Sequence, residues 1–92
     1  MREKQIESKL TKSVKKLGGL CEKWNAGTSG WPDRIILFPD GNIAFAEIKA
    51  PNQKPRRLQT ARHNALMKLG FRVYVIDNID KIGEILDEIR TT

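Results

Sequence analysis

Residues 35–38 and 43–48 are apolar on both faces and are joined by Pro39-Asp40-Gly41-Asn42. A strand pair with no polar face has to be covered on both sides, so this hairpin belongs inside a sheet flanked by helices. Phe38-Pro39-Asp40-Gly41 has Pro second, Asp third and Gly fourth. That order predicts a type I turn followed by a left-handed glycine bulge, and a three-residue loop that pairs Phe38 with Asn42. Counting back along both strands sets Asp33 opposite Glu47. Because side chains alternate faces, Lys49 joins Asp33 and Glu47 on one side while Ile48 points to the other. A two-residue loop would send Asp33 to the opposite face, so the convergence rests on the turn.

The rest of the chain fits around this hairpin. Residues 2–17 read as a helix, with Ile6, Leu10, Val14 and Leu17 on one face and Gly18-Gly19 as the stop. Its other faces carry Lys4, Lys9, Lys12, Lys15 and Lys16. Residues 20–24 form a short strand, in which Cys21 is expected to be buried, and 25–30, rich in Gly, Ser and Thr, form a loop. Residues 50–57 hold two prolines and the cations Lys54, Arg56 and Arg57, which predicts a loop. A helix over 58–69 follows, with apolar positions Leu58, Ala61, Ala65, Leu66 and Leu69 and Gly70 as its cap. Residues 71–76 make a last strand. Asp77 or Asn78 then caps a helix that buries Ile79, Ile82, Leu86 and Ile89. The order is α-β-β-β-α-β-α, an α/β fold with a central mixed sheet and a single domain over 1–92.

Seventeen Lys and Arg against 11 Asp and Glu give a formal charge of +6. Such an excess calls for a polyanionic partner, and nucleic acid fits better than a membrane surface because no basic amphipathic segment carries a large aromatic face. The single Cys21 excludes an intramolecular disulfide and a cysteine-based zinc site, which points to a reducing cytoplasm. The charged N-terminus and the absence of a long apolar run predict a soluble chain without a signal peptide or membrane span. The loop over 27–30 lacks the Gly-Lys-Ser/Thr ending of a phosphate-binding loop, so no nucleotide cofactor is expected.

Asp33, Glu47 and Lys49 are the residue types that phosphodiester hydrolysis needs. Mg²⁺ is a hard ion that takes one or two carboxylates and keeps several waters, and a neighbouring ammonium can position the nucleophile or offset developing negative charge. A structural ion pair between Glu47 and Lys49 is the plain alternative. Glu7, beside the core-facing Ile6 and Leu10, is a further candidate acid, although a lone helix glutamate is usually solvated. Lys54, Arg56 and Arg57 follow Lys49 directly and are placed to hold flanking phosphates. The lysines of the first helix either contact DNA or form a solvated face. His63 lacks a partner at metal spacing and is expected at the surface or behind the site. Trp24 is read as packing, and Trp31 as packing, interface or substrate contact.

Glu7, the Gly-x-Pro-Asp ending at Asp33, Glu47-Ile48-Lys49, and Gln59 with Arg62 and His63 together resemble the PD-(D/E)xK nuclease superfamily. More narrowly they resemble its virus-type replication-repair nuclease (VRR-NUC) domain, in the minimal stand-alone form of bacteriophages. The resemblance implies a restriction-endonuclease-like core and dependence on Mg²⁺ or Mn²⁺ held by Glu7, Asp33, Glu47 and the Ile48 backbone carbonyl. It implies Lys49 as the catalytic lysine and Gln59 as the residue that orients it or the scissile phosphate. Lys54, Arg56, Arg57, Arg62, Lys12 and Lys16 would be DNA contacts. The expected activity is a metal-dependent endonuclease selective for branched DNA, like a Holliday junction resolvase, working as a homodimer in the cytoplasm of a host cell. A DNase without junction preference, a non-catalytic DNA-binding module and a structural or regulatory phage protein are the alternatives.

Overall fold

The protein is described by a computed structural model covering residues 2–91. Its elements follow the predicted order: α1 (Glu3–Lys16), β1 (Leu20–Lys23), β2 (Arg34–Phe38), β3 (Asn42–Ile48), α2 (Arg57–Lys68), β4 (Arg72–Ile76) and α3 (Ile82–Arg90). The four strands form one sheet in the order β1-β2-β3-β4, with antiparallel neighbours except for the parallel β3–β4 pair that α2 connects. No helix among the described residues is long and apolar enough to cross a membrane.

One core holds the molecule together. Ile6, Leu10 and Val14 of α1 and Ile82, Leu86 and Ile89 of α3 pack against Ile36, Phe38, Ala44, Ala46, Ile48 and Ile76 of the sheet. Each of these leucine, isoleucine, valine and phenylalanine side chains contributes about 1.5–3 kcal/mol on burial. Cys21 is only half-buried, as β1 is the edge strand of the sheet. Burial still pushes that thiol up to about 11. Both α1 and α2 end on the predicted glycines. Gly19 N–H donates to Val14 and Gly18 N–H to Lys15, and Phe71 and Gly70 repeat the pattern on Leu66 and Met67. Asn78 does not cap α3 itself. Its side chain accepts from Asp80 N–H at 2.9 Å and closes a single turn, Ile79–Lys81, that leads into α3.

The hairpin register is the predicted one, Phe38 opposite Asn42 and Arg34 opposite Ala46. The turn conformation is not. Asp40 has φ +71°, as does its neighbour Gly41 at +77°, whereas a type I turn needs Asp40 in the right-handed region. Loop length alone sets the register, so the placement of Asp33 survives the different turn. The second correction concerns α2. Only His63 and Leu66 of that helix are buried, while Leu58, Ala61, Ala65 and Leu69 face outward, Leu69 at 74% exposure. The helix turns its polar stripe, Gln59 and His63, toward the sheet because Glu47 lies there to be hydrogen-bonded.

Candidate active site

Glu47 is the centre of the arrangement. It stands on β3 with its side chain on the α2 side of the sheet and is 2% exposed. Its Oε2 accepts from Gln59 Nε2 at 2.8 Å and lies 3.4 Å from Lys49 Nζ. Its Oε1 faces His63 Nε2 at 3.9 Å, and neither of these two buried atoms has a hydrogen-bond partner among the described residues. Burial, and then the nearby Asp33 charge, push the Glu47 carboxyl up to about 6, against the pull of Lys49 and Gln59. Burial also holds the His63 imidazole below its usual range, so it is neutral at pH 7.

Asp33 immediately precedes β2. Its Oδ2 accepts from Ile48 N–H at 3.0 Å, and its backbone carbonyl accepts from Trp24 N–H at 2.9 Å. The buried Pro32 fixes the chain on its other side. Asp33, Glu47 and Lys49 therefore line one cleft, together with Gln59 and Arg56. The same Gln59 that donates to Glu47 accepts from Arg56 N–H at 2.8 Å, so the first turn of α2 and the acid are braced through a single side chain.

Other predicted residues are placed differently. Glu7 borders a second cleft that also contains Asp33, but its carboxylate is paired with Arg34 Nε at 2.9 Å. Glu3, one helical turn earlier, lines both clefts. It escaped the sequence reading, although its i, i+4 relation to Glu7 puts the two acids on one side of α1. Lys54 and Arg57 are exposed on the segment beyond Lys49. Arg62 is already engaged: its guanidinium lies 4.9 Å over the Trp31 ring, and Nε donates to the Ser29 carbonyl at 3.3 Å. Lys12 and Lys16 are exposed on α1, roughly 7 and 13 Å beyond Glu7 along the helix axis, so the fold does not bring them to the cleft. His63 takes the second of its two expected places, buried behind the site against Glu47. Its spacing of four from Gln59 on one helix was the available signal.

No group of three or more His, Cys, Asp or Glu gathers at metal-binding distance among the described residues. The donor set is nevertheless suited to a hard divalent ion that retains water, because Asp33 and Glu47 are oxygen ligands and Glu47 Oε1 is a buried carboxylate oxygen without a partner.

Comparison with known proteins adds independent findings. The chain is 42% identical over 81 residues to "Putative nuclease p44" of Acyrthosiphon pisum secondary endosymbiont phage 1, covering 87% of each protein. It superposes with a TM-score of 0.86 on a solved structure described as "VRR_NUC domain", at 30% identity, covering 92% of this chain and 94% of the other. No protein-family model matches it.

Proposed function

The chain belongs to the VRR-NUC nuclease-domain family, and from that membership we propose that it is a metal-dependent DNA endonuclease selective for branched substrates. The observation that carries the reading is the convergence of Asp33, Glu47 and Lys49 in one cleft, with Lys49 Nζ 3.4 Å from Glu47. A binding protein gains nothing from carboxylates where phosphate must sit, whereas a phosphodiesterase needs them there. Asp33, Glu47 and the Ile48 carbonyl would hold Mg²⁺ or Mn²⁺, with Glu3 or Glu7 as the acid from α1. The ion supplies Lewis acidity toward a phosphoryl oxygen and an acidified water. Lys49 places a positive charge where the phosphate accumulates negative charge, and Gln59 holds the Glu47 carboxylate in position. Lys54, Arg56 and Arg57 grip the phosphates that flank the cut.

The outward stripe of α2 supports a homodimer. Ala61, Ala65 and Leu69 lie on one side of that helix, Leu69 74% exposed and Phe71 beside its end 40% exposed, while Leu58 at the other end borders the cleft of Asp33, Glu47 and Lys49. An apolar stripe at helical spacing that the fold leaves open suits a second copy, and two-fold pairing would present two sites to the arms of a four-way junction.

The test is cleavage of labelled four-way junction, flap and linear duplex with Mg²⁺, Mn²⁺ or EDTA, beside Lys49→Ala and Asp33→Ala. Wild type is expected to cut the junction preferentially and only with metal. Each variant is expected to lose at least about a hundredfold in rate while still binding DNA. Either variant retaining full activity would sink the assigned site.

A further inference from the structure

The cleft that Asp33 shares with α1 has a volume of about 430 Å³ and is lined in part by Trp24, Trp31, Pro32 and Asn25. These are both of the chain's tryptophans. Trp24 leans on Phe45 with ring centroids 4.7 Å apart, and Trp31 meets Trp24 edge-on at 5.6 Å and 75°. Trp31 is held in place, its indole N–H donating to Thr28 Oγ1 at 2.7 Å and the Arg62 guanidinium lying 4.9 Å over its ring. Trp24 is held by its backbone, whose N–H donates to the Asp33 carbonyl at 2.9 Å. The aromatic wall is therefore fixed by packing and hydrogen bonds and tied through the backbone to Asp33, so little freedom is lost in ordering it around an occupant.

The occupant's chemistry follows from the lining. The acids on its border, Glu3, Glu7 and Asp33, belong with the metal and the scissile phosphate, and the rest of the lining is the two indoles with Lys23, Asn25, Pro32 and Ile48, a surface with one cation and no cluster to hold further phosphates. A flat, neutral ring whose edge carries hydrogen-bonding groups suits indole walls beside the Asn25 amide and the carboxylates. We propose that this cleft is a subsite for one unpaired nucleobase next to the scissile phosphate, and that it makes the chain prefer DNA in which a nucleotide is already unstacked. The inference rests on the DNA-nuclease reading and deepens it: a base inside a duplex must be unstacked before it can enter, whereas a branch point or bulge offers one at lower cost.

The experiment uses Lys49→Ala protein, which binds without cutting, and fluorescence anisotropy in Mg²⁺. The probes are a duplex carrying one unpaired thymine and its fully paired counterpart. Preference for the unpaired probe of about tenfold is expected. Adding Trp24→Ala should bring the ratio near one with paired-duplex affinity unchanged, and Trp24→Phe should restore most of it. In parallel, 5-iodouracil at the unpaired position is irradiated on protein with both tryptophans intact, and the cross-linked residue is identified by mass spectrometry. Cross-linking to Trp24 or Trp31 is expected. A ratio near one before the tryptophan change, a ratio that survives Trp24→Ala in a folded protein, or cross-links confined to other residues would each overturn the subsite. The cross-link decides the matter if Trp24→Ala does not fold. Metal-dependent cleavage by wild type, measured alongside, separates the two readings: intact cleavage with no base preference removes the subsite alone.

Discussion

Glu47 is a buried acid held beside a second acid, Asp33. Its carboxyl sits at about 6 instead of 4.5 because it is buried beside Asp33, and Lys49 and Gln59 only partly compensate. A carboxyl raised in the folded state binds more protons there than when unfolded, so without metal its penalty is present above pH 6 and disappears as pH falls through 4.5. The size is about 2 kcal/mol. Glu47→Gln is therefore expected to raise Tm in EDTA at pH 7.5 by several degrees, and the gain should vanish near pH 4. Thermal denaturation across that range checks it, and a variant no more stable than wild type at pH 7.5 would contradict the picture. The acids of α1 separate by the same kind of test. Glu7→Ala leaves Arg34, which is 13% exposed, with the Cys21 carbonyl as its remaining hydrogen-bond acceptor, and should cost about 1–3 kcal/mol in urea denaturation. Glu3→Ala removes no side-chain hydrogen bond or ion pair among the described residues and should stay within about 0.5 kcal/mol.

At the level of elements, the segment between β1 and β2 is pressed onto α2 at one glycine. Gly30 has φ +92°, and a Cβ there would stand 2.7 Å from Leu58 Cγ and 3.1 Å from Arg62 Cγ. Gly27 has a similar φ of +83° but open space around it. Gly27→Ala should cost about 1 kcal/mol of backbone strain, and Gly30→Ala distinctly more, with a loss of cleavage as Asp33 is displaced. Melting curves and cleavage rates of the two variants measure the difference. The hairpin and its register were legible in the sequence because a three-residue loop and strict alternation leave one answer, whatever conformation Asp40 adopts. The facing of α2 was not legible. Leu58, Ala61, Ala65 and Leu69 make as good an inner stripe by spacing as Gln59, His63 and Leu66, and only the position of Glu47 decides between them. The ion pair of Glu7 with Arg34 was equally hidden, because it depends on how α1 crosses β2 rather than on any local pattern.

For the molecule as a whole, the outward stripe of α2 and the basic surface make separate claims. Leu69→Lys should leave the monomer folded, since the side chain is 74% exposed, and should shift the sedimentation of a dimer to that of a monomer. An unshifted dimer would move the interface elsewhere. The hairpin that gathers Asp33, Glu47 and Lys49 also bears on how the chain reaches its native state. All three residues lie within one locally closed unit, and hairpins of this kind form in roughly 1–10 μs. The parallel pairing of β4 with β3 must wait until the whole of α2 has been looped between them. Pulse-labelled hydrogen exchange should find the amides of β2 and β3 protected before those of β4. The chemistry-bearing groups are then assembled first and enclosed last, so the slow step of folding is the arrival of the strand and helix that shut water away from them.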